Sequence, residues 1–131
     1  MNQAIKKEKN KNAVLSNGKE YTIDATNKRL GRVATEAASV LLGKNTTHFA
    51  KNIVEPVVVK ITNASKLDIS EKRALDEFQT YSGYPGGRRV ETLGHLAGRL
   101  GYGEVVRRVV AGMIPKNKLH TPRMHNLEVT E

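Results

Sequence analysis

The sequence contains no cysteine and no tryptophan, and only 5% of its residues are aromatic. Without cysteine there is no disulfide framework, no thiolate metal site and no cysteine nucleophile. With so few rings, the core must be built from Val, Leu, Ile and Ala. No apolar run approaches the roughly 18 residues that a membrane span needs. The first 20 residues lack the apolar stretch of a secretory signal, and Glu8 argues against an acid-free transit peptide. Acidic residues are also short: 13 Asp and Glu stand against 22 Lys and Arg, a formal net charge of +9. The chain has 131 residues, of which 38% are hydrophobic and 27% charged, the balance of a folded domain.

The positive excess is uneven. Residues 1–20 carry +3, residues 28–51 carry +4, residues 53–81 carry −1 and residues 82–131 carry +4. The middle reads as scaffold and the rest as the footprint of a polyanion binder. We read residues 1–20 as a basic tail that is disordered alone, and residues 21–131 as a single α/β domain.

Tyr21 to Asp24 is a short strand. Leu30, Val33, Ala34, Ala37, Ala38 and Leu41 then form one helical stripe. The pattern predicts Asn27 as the N-cap and Gly43 as a left-handed C-cap. Val57 to Thr62 is a β-branched run that reads as a strand covered on both faces. Together these make a right-handed βαβ unit. Lys66 to Arg73 is ambiguous, and Glu77 to Tyr81 reads as a third strand. A glycine-rich loop, Ser82 to Arg89, precedes two helices separated by Gly101-Tyr102-Gly103. Pro115 stops the second helix, Lys116 to Arg123 reads as a basic loop, and Leu127 to Val129 as an edge strand. The fold class is α/β, a small parallel sheet flanked by helices.

Few residues suit catalysis. Gly43-Lys44 imitates the end of a phosphate-binding loop, but Ala38 and Asn45 stand where Gly and Ser or Thr are required, and the pair follows a helix instead of opening one. No two of His48, His95, His120 and His125 have the i, i+4 helical spacing of zinc ligands, so neither a metal site nor a cofactor is expected. Asp68, Glu71, Asp76 and Glu77 read as a solvated acidic edge. Polyanion binding has better candidates. Lys28, Arg29 and Arg32 cluster where a helix begins, and Lys44 and Lys51 follow its end. Gly83, Gly86 and Gly87 allow close backbone approach, with Tyr84 as a stacking ring and Arg88 and Arg89 as phosphate donors. Lys116, Lys118, His120 and Arg123 form a second basic loop held by Pro115 and Pro122. Two such loops suit structured RNA better than a DNA groove. The alternatives are a small α/β enzyme or nucleotide-binding module using the Gly83 to Gly87 loop, and an adaptor for an acidic protein.

Several segments, in order, carry a resemblance. They are Tyr21-Thr22-Ile23-Asp24-Ala25-Thr26 with Leu30-Gly31-Arg32-Val33-Ala34, Leu42-Gly43-Lys44, the strand from Val57, and Asn63-Ala64-Ser65-Lys66-Leu67. Tyr81-Ser82-Gly83-Tyr84-Pro85-Gly86-Gly87 follows, and the most specific is Val110-Ala111-Gly112-Met113-Ile114-Pro115-Lys116. Together they resemble the bacterial type of the thirteenth large-subunit ribosomal protein family over residues 21–129. The resemblance implies a three-layer α/β/α domain around a four-stranded, mostly parallel sheet. It implies a structural, non-enzymatic constituent of the large subunit, in the cytoplasm or an organelle, supporting subunit assembly and translation. Its partners would be large-subunit ribosomal RNA and neighbouring ribosomal proteins, with no membrane and no small-molecule substrate. The implied RNA-facing positions are Arg32, Lys44, the Gly83 to Arg88 loop, Lys116 and Arg123. Ser82 and Tyr84 depart from the Thr and His of bacterial relatives. Gly101-Tyr102-Gly103 loosens the junction before the last long helix.

Overall fold

The computed structural model describes residues 18–131. The tail expected over residues 1–20 therefore falls mostly outside the described residues. Its last two residues, Lys19 and Glu20, already belong to the first strand, β1 (Lys19–Asp24). Helix α1 (Leu30–Leu41) and strand β2 (Val57–Thr62) complete the βαβ unit. A single 3-10 turn (Ala64–Lys66) and the short α2 (Glu71–Ala74) settle the ambiguous stretch. Then come β3 (Glu77–Tyr81), β4 (Arg88–Thr92), α3 (Leu93–Leu100), α4 (Tyr102–Met113), α5 (His120–His125) and β5 (Leu127–Val129).

The main sheet has the order β1-β2-β5, with both pairings parallel. Val57, Val59 and Ile61 of the central strand share one core with Ile23, Leu127, the buried stripe of α1 and Val106 and Val110 of α4. The odd-numbered face of β2 is thus the one both long helices cover. The other face carries Lys60, which pairs with Glu20 at 3.2 Å. The expected α/β class holds, but the four-stranded sheet does not form among the described residues. There the parallel sheet has three strands and its main core lies on one face; on the other face Val58 is buried but Lys60 is partly exposed, so the central strand is fully covered on one face and only partly on the second. The third expected strand, β3, instead pairs antiparallel with β4 as a separate ribbon. A six-residue turn returns the chain beside itself, which gives antiparallel pairing without a crossover. Phe78 anchors the ribbon on a second, smaller cluster of Leu93, Leu96 and Val105.

The start of α1 also differs from expectation. Arg29, not Asn27, is the N-cap residue. Asn27 is held in a left-handed conformation (φ 55°) because its N–H donates to the Lys66 carbonyl at 2.9 Å. Asp24 organises this corner, accepting from the Thr26 N–H at 3.0 Å, the Thr26 hydroxyl at 2.7 Å and Asn63 Nδ2 at 3.1 Å. These donors, the Thr26 N–H first, hold its carboxyl down to about 2. The C-terminus of α1 matches its reading. Gly43 (φ 80°) donates to Val40 O at 2.9 Å and Lys44 to Ser39 O at 3.1 Å, the paired bonds of a Schellman end. Among the described residues, no helix is long and apolar enough to cross a membrane.

Candidate nucleic-acid interface

The first cationic group forms where β1 hands over to α1. Backbone pairing of residues 27–29 with 66–68, including Asp68 N–H to Lys28 O at 3.0 Å, fixes Lys28 and Arg29 at the carboxyl end of the parallel strands. Arg32 follows one turn on. All three side chains are exposed. Lys28 lies 3.9 Å from Glu36, while Arg29 and Arg32 make no ion pair among the described residues. No side chain caps the first turn of α1, so its amides add partial positive charge beside them. The three residues rim an open groove of about 1510 Å³ whose lining includes Leu30, Phe78 and Met113. Glu36, Asp68, Asp76 and Glu77 also line it, so the groove is mixed in charge and the cations stand on its rim.

The second group is the β3–β4 ribbon. Gly86 has φ 74° and Gly87 N–H donates to Tyr84 O at 3.0 Å, the arrangement of a type II turn with Pro85 ahead of the glycine. A Cβ on Gly87 would lie 3.0 Å from that carbonyl and displace the Ser82 hydroxyl, so the turn packs most tightly with glycine there. The turn carries Tyr84 to the tip, 75% exposed. Arg88 and Arg89 were read as the end of a loop; they open β4 instead, both exposed. Tyr81, a strand residue by its pattern, is 68% exposed and pairs directly across from Arg88. Strand alternation is the signal that would have found it. Exposed Lys66 and Arg107 were also left out and make no ion pair among the described residues.

The third group corrects the reading of the second basic loop. Lys116 and Lys118 are exposed on a short link, but residues 120–125 form α5. His120 is half-buried, and its Nε2 donates to Ala111 O at 3.0 Å, closing the end of α4. Arg123 is 2% exposed. Its Nη2 donates to Lys51 O at 3.3 Å and Ile53 O at 3.4 Å, while Nε has no partner. Arg123 therefore does not reach solvent; it holds the segment 42–56 that displays Lys44 and Lys51. That segment joins the end of α1 to the start of β2, so Lys44 and Lys51 lie at the amino end of the sheet, opposite Lys28, Arg29 and Arg32. The structure gathers the candidates into separate groups and not into one cluster.

Other cations are neutralised inside the scaffold. Glu91 accepts from Arg99 at 2.8 and 2.9 Å and from His95 Nδ1 at 2.7 Å. These bonds, Arg99 first, hold its carboxyl down to about 2, and Arg99 is raised in return. Arg108 bonds Glu104 at 3.3 Å. The nucleotide-module alternative loses its geometry: Gly83 to Gly87 turn between two antiparallel strands, so no helix N-terminus stands behind them to complete a phosphate cradle. Among the described residues no three His, Asp or Glu side chains gather as metal ligands.

A family model described as "Ribosomal protein L13" matches residues 18–131. The large ribosomal subunit protein uL13 of Synechococcus sp. (strain CC9311) is 40% identical over 110 residues, covering 83% of this chain and 73% of that protein. The uL13 of Cutibacterium acnes is also 40% identical over 110 residues, covering 83% and 74%. The uL13c of Guillardia theta is 37% identical over 113 residues, covering 86% and 78%. With the family model spanning nearly every described residue and relatives at this identity over most of both chains, the chain belongs to the ribosomal protein L13 family.

Proposed function

We propose that this chain is a structural constituent of the large ribosomal subunit, binding large-subunit ribosomal RNA and packing against neighbouring ribosomal proteins during assembly and in translation. Phosphate is met by Lys28, Arg29 and Arg32 at one end of the sheet and by Lys44 and Lys51 at the other. Arg88 and Arg89 on the ribbon, with Tyr84 at its tip, and Lys116 and Lys118 before α5 complete the set. Gly83, Gly86 and Gly87 let the ribbon backbone come close. His120 and Arg123 serve the interface from inside, by fixing the segments that carry the exposed cations. The role is that of a scaffold for RNA, and no catalytic step is assigned.

One observation carries this reading. Glu20, Asp76, Glu91 and Glu104 each pair with a basic side chain of the scaffold and Glu36 lies 3.9 Å from Lys28, whereas Arg29, Arg32, Lys44, Lys51, Arg88, Arg89, Lys116 and Lys118 make no ion pair among the described residues. Their charge is displayed over widely separated groups, as an extended, folded polyanion requires. The test is co-sedimentation. Added to dissociated ribosomal subunits lacking their own copy, the chain should travel with the large subunit at low salt and leave it at high salt. Migration with the small subunit, or with neither, would overturn the proposal.

A further inference from the structure

We propose that the outward face of the β3–β4 ribbon is a stacking site for an unpaired RNA base, with Tyr81 as the stacking ring and Arg88 as its phosphate partner. The proposal rests on the RNA-binding reading above and adds which form of RNA this element takes.

Alternation divides the ribbon into two faces. Phe78 and Glu91 pair across one face and are committed inward, Phe78 to the Leu93–Leu96–Val105 cluster and Glu91 to Arg99 and His95. Tyr81 with Arg88, and Gln79 with Val90, are the facing pairs of the other side. On that side Tyr81 is 68% exposed and Val90 47%. Arg88 Nη2 donates to Gln79 Oε1 at 3.1 Å, which lays the guanidinium along the face instead of leaving it free in solvent. Tyr84, 75% exposed, stands at the tip on the type II turn. Residues 80–90 contain two arginines and no Asp or Glu.

Two exposed rings, an exposed Val and two cations on one small element need an occupant with flat apolar faces and negative charge. Unpaired nucleotides supply both. A base inside an A-form duplex has its faces covered by its neighbours, and the duplex offers mainly phosphates and 2′-hydroxyls. The ring stacks on the free base while Arg88 meets the adjoining phosphate. Among the other displayed cations, Lys44 and Lys51 bracket one exposed ring, Phe49, at 42%, whereas the ribbon carries two rings at 68% and 75% beside its arginines. The ribbon is therefore an element that distinguishes an open strand from a helix.

The experiment uses the full chain, a single-stranded RNA of about 12 nucleotides with 2-aminopurine at its centre, and the same sequence as a duplex. Binding should quench the 2-aminopurine in the single strand. Tyr81→Ala should weaken single-strand binding by about tenfold and duplex binding by less than about twofold. Tyr81→Phe, which keeps the ring, should behave as the unsubstituted chain. Tyr81 is largely exposed, so the substitutions leave the fold intact. Equal losses on both RNAs, or no loss on either, would overturn the stacking site while leaving RNA binding in place. An unsubstituted chain that binds neither RNA would overturn the stacking site, and the co-sedimentation test then decides the RNA-binding reading separately.

Discussion

Replacing Arg123 separates two roles that the sequence alone does not distinguish. The side chain is 2% exposed and spends Nη2 on the carbonyls of Lys51 and Ile53 at 3.3 and 3.4 Å. These bonds are long, so each is worth about 1 kcal/mol, at the low end for a charged donor. Arg123→Ala also removes two buried methylenes beyond Cβ, at about 0.8 kcal/mol each. The unpartnered Nε disappears with it, returning about 1 kcal/mol. The net loss is about 2–3 kcal/mol, which for a domain of this size lowers the melting temperature by about 10 °C. Arg123→Met keeps the stem and drops the buried charge, so its stability should stay within about 1 kcal/mol of the parent. In that variant the amides of residues 51–53 should exchange faster with solvent, because their segment has lost its clamp. Binding to large-subunit RNA should keep its salt dependence in both variants, since a buried guanidinium neutralises no phosphate. If Arg123→Met left amide exchange and melting untouched but lowered the slope of log affinity against log salt by about 0.7–0.9, the side chain would be an RNA contact and the structural reasoning would fail.

Two further outcomes follow from particular residues. Gly43→Ala should destabilise by about 1 kcal/mol in thermal melts, because φ is 80° and the added Cβ would lie 2.6 Å from Glu55 Cγ, a flexible stem that can yield; an unchanged melt would contradict the Schellman end. Glu91 has its folded carboxyl pushed from 4.5 to about 2, so its contribution to stability is present above about pH 4.5 and is lost as pH falls toward about 2. Glu91→Gln should therefore flatten the acid limb of the stability–pH profile in that window, and parallel profiles for the two proteins would show that the Arg99 and His95 bonds do not form.

Periodic signals made most of the fold legible. The stripe from Leu30 to Leu41 is buried apart from half-exposed Leu30, because helical spacing alone identifies its inward face; the β-branched run at Val57 is the central strand, although its local pattern suggested equal cover on both faces and Lys60 lies on the more open one. Gly43 and Pro115 marked helix ends correctly, since a positive φ and a missing N–H are properties of single residues. Pairing partners were less legible. Glu77 to Tyr81 was recognisable as a strand, but its antiparallel partner followed from the turn at Tyr84 to Gly87, and four contiguous strands did not form. Arg123 failed for a different reason. A basic residue beside Pro122 reads as surface, and what buries it arrives from residues some seventy positions earlier. Tyr81 was overlooked because its exposure depends on which face Phe78 takes, a question decided by the small cluster under the ribbon.

The displayed, unneutralised cations are the centre of the account. Their most direct test is the salt dependence of binding to large-subunit ribosomal RNA by a variant with Arg29, Arg32, Arg88, Arg89, Lys116 and Lys118 all changed to Gln. Every one is exposed, so the melting temperature serves as a control for folding. If each of the six meets a phosphate, the slope of log affinity against log salt should shrink by about 4–5 relative to the parent. A folded variant whose slope matches the parent would contradict the account.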